Sequence, residues 1–314
     1  MSEPPIPAAG TTETSTGADR ADRLRAILLM VAALVMFSGL DTTAKYLVTH
    51  TPISVAQLSW LRFLGQFVLL LTLVPALGLL TTRELFTTRR LGWQLVRSVL
   101  MAATTVLNFL ALQYLRLDQT ITIVFLAPLV VALLAGPLLG EWVGWRRMLA
   151  ILVGFGGILI AVRPGFAEVH PAVIYSFVGM LAYALFMILT RRIAAYDPPL
   201  VTLFYSMFVG TIFGAPIALS DWVWPPDWVT WLMLLSLGVL GGTGHYLFIL
   251  AYRLAPASTI APFLYLQLLS MVGFGWFVFG DVPDGWTLAG AAVVTASGIY
   301  LVHREHVLHR QRST

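Results

Sequence analysis

The sequence predicts an all-α integral membrane protein in which ten transmembrane helices form two inverted repeats of five, with both chain termini in the cytoplasm. Three observations lead to this prediction: the apolar composition, the placement of the basic residues, and a set of motifs that recurs between the two halves. Of the 314 residues, 58% are hydrophobic and only 11% are charged. So low a share of charged residues is typical of a protein that has lipid as its solvent.

Each predicted helix is an apolar stretch bounded by turn-forming residues. Crossing the ~30 Å hydrocarbon core of a bilayer takes roughly 20 residues of α-helix. Proline and glycine separate the stretches, as at Thr51-Pro52 and Pro164-Gly165, and tryptophans cluster at their ends, where indole rings favour the membrane surface. In chain order the predicted spans are residues 25–48, 54–79, 93–114, 119–140, 147–163, 172–190, 199–219, 229–251, 257–280 and 286–303.

The two ends of the chain, residues 1–23 and 306–314, are predicted to be cytoplasmic tails. The first is expected to be disordered because it is rich in Pro, Thr, Ser and Gly and poor in large apolar residues. A signal peptide is the alternative interpretation of residues 1–50, since Arg20, Arg23 and Arg25 precede an apolar run. We favour a membrane span, because residues 26–48 are long enough to cross and no cleavage motif follows them.

The basic residues indicate the topology. Fourteen of the nineteen Lys and Arg residues fall in alternate gaps between the spans, and only Arg116 and Arg163 fall in the other gaps. Because basic residues are retained on the cytoplasmic side, both termini are expected there and the number of spans is even. The net charge of +4 is spread over short gaps rather than gathered on one face, so nucleic acid is not a predicted partner.

An internal repeat divides the chain into residues 24–165 and 171–305. Gly157 follows Trp145 by twelve residues, just as Gly298 follows Trp286, and the pair Gly140-Glu141 corresponds to Gly280-Asp281. An odd number of spans in each half gives the two halves opposite orientations in the membrane. Such inverted repeats surround a central site and expose it to each side in turn, which predicts a transporter, although an enzyme or a scaffold is not excluded.

Asp41 is the only carboxylate well inside a predicted span, and Lys45, the sole lysine, lies four residues later on the same helix face. Charges are costly inside hydrocarbon, so both side chains are expected to face protein or water. Two interpretations stay open: a site for solute charge or proton coupling, or a self-neutralising ion pair of Asp41 with Lys45.

Arg62 lies near the middle of the second span, with Gln66 one turn further on. Its guanidinium keeps its charge and therefore needs an acceptor. Asp41 is the only carboxylate at a comparable depth, so either a structural Arg62–Asp41 bridge or an anion-binding role is predicted. Arg97 lies one turn inside the third span and is expected to extend its guanidinium to the cytoplasmic surface, without a site role.

Further polar candidates lie inside later spans. His245 is the only histidine within a predicted span and corresponds to Asn108 in the repeat. It either has a role in solute binding or proton transfer, or it forms a hydrogen bond to a neighbouring helix. Two prolines are predicted to break helices and free backbone carbonyls near a central cavity, Pro128 and Pro262. Three more side chains either line that cavity or only pack against neighbouring helices: Tyr183, Tyr265 and Gln267.

Several catalytic and cofactor motifs are absent. The run Gly154-Phe155-Gly156-Gly157 lies inside a span without a neighbouring lysine, so it does not predict a phosphate loop. The chain has no HExxH motif, no GxSxG motif and no cysteine. The sequence therefore predicts no enzyme, no cofactor and no metal site.

The chain resembles the drug/metabolite transporter superfamily, in particular its EamA-type family, over about residues 25–305. The resemblance is carried by Asp41-Thr42-Thr43-Ala44-Lys45, by Trp60-Leu61-Arg62, and by the stretches FLAPLVVALLAGPLLGEWVGWRR, GFGGILIAVRPG, APFLYLQLL and FGDVPDGWTLAGAAVVTASGIYLVHRE. The chain departs from the family pattern at Asp281, where the family often has Glu, and at Gln267-Leu268, where the first half has a Pro-Leu step. The resemblance with these departures implies an asymmetric solute-facing surface.

The resemblance implies a secondary transporter of small organic metabolites in the bacterial inner membrane. The first half is most similar to riboflavin and S-adenosylmethionine importers, which implies uptake of riboflavin or a similar cofactor precursor. Export of an amino acid or a metallophore is the alternative. The expected partners are the solute, the lipid bilayer and a proton as coupling ion, and the protein is expected to be a monomer or a homodimer.

Overall fold

The computed structural model describes residues 15–139, 145–162, 170–193, 196–254 and 266–312, and within these residues all regular structure is helical. The helices in these ranges are α1 (Ser15–His50), α2 (Val55–Ala76), α3 (Thr82–Leu85), α4 (Leu91–Leu112), α5 (Leu117–Val124), α6 (Ala127–Leu139), α7 (Trp145–Val162), α8 (Val173–Ile193), α9 (Pro199–Ser220), α10 (Trp228–Leu254), α11 (Leu266–Phe279) and α12 (Gly285–Arg312).

Six helices of the described part are long and apolar enough to cross a membrane. These are α1 from Leu24 onward, α2, α4, α8, α9 and α10 up to Phe248. The predicted fourth span is divided into α5 and α6 by a turn at Phe125 and Leu126. This break lies beside Pro128, the second residue of α6, where a missing N–H costs no helical hydrogen bond. The total of ten spans stays a prediction.

Helix α1 begins at Ser15, inside the segment that was expected to be a disordered tail. Its first residues, from Ser15 to Arg23, contain no proline and include alanine and arginine, which favour helix. The helix therefore continues beyond the apolar stretch at its N-terminal end. Residues 1–14 of the predicted tail lie outside the described residues.

The helix contacts occur in equivalent pairs, which are related by replacing each helix with its counterpart in the other half. Helix α1 packs against α10, and its counterpart α8 packs against α4. In the same way, the contact of α2 with α10 corresponds to that of α9 with α4, and the contact of α1 with α11 corresponds to that of α8 with α6. The counterparts α2 and α9 pack against each other, as do α7 and α12. Each half thus completes its packing against the other.

Glycines allow the closest helix approach. The backbones of α2 and α10 meet at Gly65 and Gly238, where a Cβ added to Gly238 would lie 2.8 Å from the Cα of Gly65. Glycines four residues apart lie on one helix face and let a neighbouring helix approach closely. Gly210 and Gly214 contact Phe63 and Trp60 in this way, and Gly238 and Gly242 contact α2.

Candidate functional site

A cavity of about 160 Å³ lies between the two halves, lined by side chains of α1, α2, α4, α5, α8, α10 and α11. Six of the residues that the sequence singles out lie in its wall. They are Asp41, Arg62, Asn108, Tyr183, His245 and Gln267.

Two helices contribute four residues each to the wall, through one helical face each. Helix α4 contributes Met101, Thr104, Thr105 and Asn108. Helix α8 contributes Ser176, Gly179, Met180 and Tyr183. Both sets have the spacing i, i+3, i+4 and i+7, which places all four residues of a helix on the same side. Helices α1 and α11 line the cavity with Phe37, Leu40 and Asp41 and with Gln267 and Met271.

The two charges of the cavity are held separately by α4. Arg62, which is 8% exposed, donates from Nη1 to the Oγ1 of Thr105 over 2.6 Å. Asp41 accepts at Oδ1 from the Nδ2 of Asn108 over 3.0 Å. Within the described residues, Arg62 and Asp41 form no direct ion pair, so the predicted structural bridge is wrong in its geometry. The two side chains still attract each other electrostatically.

Three buried polar atoms of the cavity residues have no hydrogen-bond partner in the described part of the protein. They are Nε of Arg62, Oγ of Ser176 and Nε2 of His245. The His245 ring packs against Phe37 with 4.9 Å between ring centroids. Because buried polar groups are ordinarily satisfied, these atoms are suited to bind polar groups of a solute. The apolar part of such a solute would contact Met101, Met180 and Met271, whose flexible side chains adapt to the shape of a ring.

Lys45 lies outside this cavity. Its Nζ pairs with Oδ2 of Asp281 over 2.9 Å and lies 4.5 Å from the ring centroid of Phe279. The predicted pairing of Lys45 with Asp41 is therefore wrong. The two side chains share a helix face but diverge, since the Asp41 carboxylate meets Asn108 of α4 and Lys45 reaches the end of α11.

Gln66 also lies apart from the central cavity. It lines a second, mainly apolar cavity of about 250 Å³ between α2, α9 and α10. Neither polar atom of its side-chain amide has a hydrogen-bond partner in the described residues. Two further candidates, Pro262 and Tyr265, lie outside the described residues, as does the side chain of Pro128.

Arg97 does not extend to the membrane surface as expected. It is 4% exposed and donates from Nε to Thr190 and from Nη1 to the carbonyl of Thr202 and the hydroxyl of Ser206, over 2.7, 2.9 and 2.6 Å. Its guanidinium also lies 4.3 Å from the ring centroid of Phe186. The expectation was wrong because α8 and α9 supply acceptors that make an outward path unnecessary.

Two polar residues of the cavity wall were not recognised in the sequence. They are Thr105, which accepts a hydrogen bond from Arg62, and Ser176. A signal existed for Thr105, which precedes Asn108 by three residues and therefore lies on the same face of α4. For metal, no group of three or more His, Asp or Glu side chains in the described ranges is placed to hold an ion.

Comparison with known proteins gives a consistent result. Residues 24–163 and 170–303 each match the sequence model of the EamA-like transporter family. The chain is 28% identical to a riboflavin transporter of Vibrio cholerae, over 90% of this chain and 94% of the relative. It is 25% identical to an S-adenosylmethionine uptake transporter of Rickettsia prowazekii, with the same coverage, and 26% identical to a pseudopaline exporter of Pseudomonas aeruginosa over 88% and 95%. A solved crystal structure with 18% identity has the same fold, with a TM-score of 0.62 over 89% of this chain and 98% of the other.

Proposed function

The chain belongs to the EamA-like transporter family, and on that premise we propose that it moves a small organic metabolite by alternating access. It is a multi-pass protein of the bacterial inner membrane, and its relatives transport small metabolites. The observation that carries the proposal is the cavity between the two halves, in which Asp41 and Arg62 face the same space without pairing. We infer no enzymatic role, because this site has neither an activated nucleophile nor a pair of carboxylates.

The proposed direction is uptake, and the proposed solute is riboflavin or a similar cofactor precursor. The riboflavin and S-adenosylmethionine transporters among the relatives support this choice. A cavity wall with methionines and the aromatic rings of Phe37 and Tyr183 suits a planar solute. Export of an amino acid or a metallophore is the second candidate, favoured by the pseudopaline exporter and by the two opposite charges of the cavity.

The test is flux in proteoliposomes that contain the purified protein. Labelled riboflavin should accumulate, and unlabelled riboflavin should compete with it. Arg62→Gln and Asp41→Asn should lower this flux, whereas Arg83→Gln, a change at an exposed arginine outside the cavity, should not. If riboflavin neither crosses the membrane nor raises the melting temperature of the protein, a screen of amino acids and metallophores follows, and selective binding of one of them would favour the export candidate.

Proton coupling is proposed as the energy source. Asp41 and His245 are the side chains in the described cavity wall that could exchange a proton during a transport cycle. An imposed pH gradient should drive flux in the wild type, and His245→Gln or Asp41→Asn should abolish the dependence on that gradient. Flux that ignores the gradient in the wild type would leave facilitated diffusion, exchange or another ion.

The full topology is proposed to have ten spans with both termini in the cytoplasm. Single cysteines at Ser220 and Pro283 should react with an impermeant thiol reagent from the periplasm, and a cysteine at Thr87 should react only from the cytoplasm. The natural chain contains no cysteine, so no background labelling interferes. Reaction of all three sites from one side would contradict this topology.

A further inference from the structure

We propose that the ion pair of Lys45 with Asp281 is a latch that closes the central cavity at its periplasmic face. The inference rests on the proposed function, because it assigns the opening and closing of the same cavity to two named residues. Lys45 belongs to α1 in the first half, and Asp281 follows α11 in the second half. In the proposed topology, both lie at the periplasmic ends of their helices.

The contact between α1 and α11, here called the α1–α11 seam, forms one wall of the cavity. From α1, Leu40 and Asp41 face the cavity, and from α11, Gln267 and Met271 do. One turn of α1 separates Asp41 from Lys45, so the latch lies on the same helix as a cavity charge and further toward the periplasm. A shift of α1 that accompanies solute binding at Asp41 would therefore reach the latch directly.

Two polar contacts hold the seam in the part of the chain that the structure describes. The hydroxyls of Ser38 and Ser270 lie 2.6 Å apart beside the cavity, and Lys45 meets Asp281 over 2.9 Å at the outer end. Both contacts join the two halves of the chain. When inverted repeats rock to open a cavity toward one face, contacts between the halves on that face must separate. The outer contact is therefore expected to break whenever the cavity opens to the periplasm.

The local backbone fixes the position of Asp281. Gly280 has a φ of +69°, which glycine adopts without strain, and it ends α11. The N–H of Gly280 donates to the carbonyl of Trp276, and the N–H of Asp281 donates to that of Gly275. This is the glycine-based helix ending that turns the chain sharply after the last helical turn. The carboxylate is thus presented at a defined place.

The surroundings of the pair suit a contact that forms and breaks. The side chain of Lys45 is 10% exposed and that of Asp281 is 26% exposed. The ring of Phe279 covers the Lys45 ammonium, which lies 4.5 Å from the ring centroid. Water can reach the carboxylate, so the Asp281 charge is not trapped without solvation when the pair separates. Partly exposed ion pairs are weak enough to be opened by the binding energy of a solute.

The test measures access to the cavity without any solute. Ser176 lines the cavity on α8, and Ser176→Cys gives this cysteine-free chain a single thiol there. A membrane-impermeant maleimide is applied to right-side-out vesicles. Asp281→Asn and Lys45→Met should each raise the labelling rate about fivefold, as expected for the loss of a partly exposed ion pair.

Exchanging the two charges between positions 45 and 281 distinguishes a latch from a general loss of packing. The double variant Lys45→Asp with Asp281→Lys should return the labelling rate toward that of the parent, and Lys45→Arg should leave it unchanged. Asp221→Asn is the matched control, since it removes an exposed carboxylate on the proposed periplasmic face away from the seam. Melting temperatures verify that each variant is folded; if Asp281→Asn does not fold, Lys45→Met decides.

Unchanged labelling in the folded single variants would overturn the latch, and so would an exchange variant that labels as fast as the single variants. The outcome does not depend on riboflavin, on flux or on proton coupling. Absence of riboflavin transport would therefore refute the proposed solute while leaving the labelling result intact. Conversely, normal transport with unchanged labelling would refute the latch alone.

Discussion

Asp41 accepts a hydrogen bond from Asn108 over 3.0 Å rather than forming an ion pair with Arg62 in the same cavity. Arg62 in turn donates to Thr105, three residues before Asn108 on α4. One face of α4 therefore keeps two opposite charges apart. Since each is held by a neutral partner, both retain bonding capacity toward a solute, which a direct pair would have consumed.

Thr105→Val should disturb the position of Arg62 because valine has the shape of threonine without its hydroxyl. The buried guanidinium then loses an acceptor, and we expect a loss of about 1–3 kcal/mol in the free energy of unfolding together with reduced flux. The control is Thr104→Val, since the Thr104 hydroxyl donates to the carbonyl of Leu100 in its own helix. Thermal unfolding in detergent compares the two; equal effects would contradict a special role for Thr105.

Arg97→Lys should be destabilising although it preserves the charge. A lysine ammonium cannot reproduce the planar arrangement by which Arg97 reaches Thr190, Thr202 and Ser206. We expect a loss of about 1–3 kcal/mol in unfolding free energy, against a change within about 0.5 kcal/mol for Arg90→Lys at an exposed position. Similar melting temperatures for the two variants would show that the buried contacts contribute little.

The sequence was sufficient for the features that depend on local pattern. The apolar stretches locate the helices because a bilayer sets their length, and the cost of polar groups in lipid explains why Asp41, Arg62 and His245 turn to one interior cavity. Helical spacing also relates Thr105 to Asn108. These inferences need only one helix at a time.

The partners of Lys45 and Arg97 could not be predicted from the sequence, because they lie on other, distant segments of the chain. Asp281 is 236 residues away from Lys45 and was assigned to a turn outside the membrane. The acceptors of Arg97 are common hydroxyl residues without a distinguishing motif. Which of many such residues meets a given charge is decided by how the helices pack, and the packing is not encoded in any single segment.

Asp197 should make the stability of the protein sensitive to acid. Burial alone would raise the pKa of Asp197, but hydrogen bonds from Thr88, the N–H of Arg89 and Gln94 outweigh it and lower this pKa. The unfolded chain therefore takes up the proton first as the pH falls. The stabilisation is complete above the pKa of the unfolded state and is lost as the pH falls through the pKa of the folded state.

Melting temperatures between about pH 6 and pH 3 test this effect. The wild type should lose stability in the acid range, Asp197→Asn should show a flatter curve, and Thr88→Val, which removes one of the hydrogen bonds, should lie between them. Parallel curves for wild type and Asp197→Asn would assign the acid sensitivity to other groups.

Gly238→Ala should separate α2 from α10 and thereby alter the cavity. The added Cβ would lie 2.8 Å from the Cα of Gly65, a backbone atom that cannot move without its helix. We expect overpacking to cost about 1–3 kcal/mol, more than alanine gains in helix propensity. Arg62 lies one turn from Gly65, so flux should fall as well.

Gly273→Ala is the control, since a Cβ there meets nothing within 4 Å and alanine should stabilise α11 by up to about 1 kcal/mol. If both substitutions raise the melting temperature, α2 and α10 do not approach as closely as their glycines indicate.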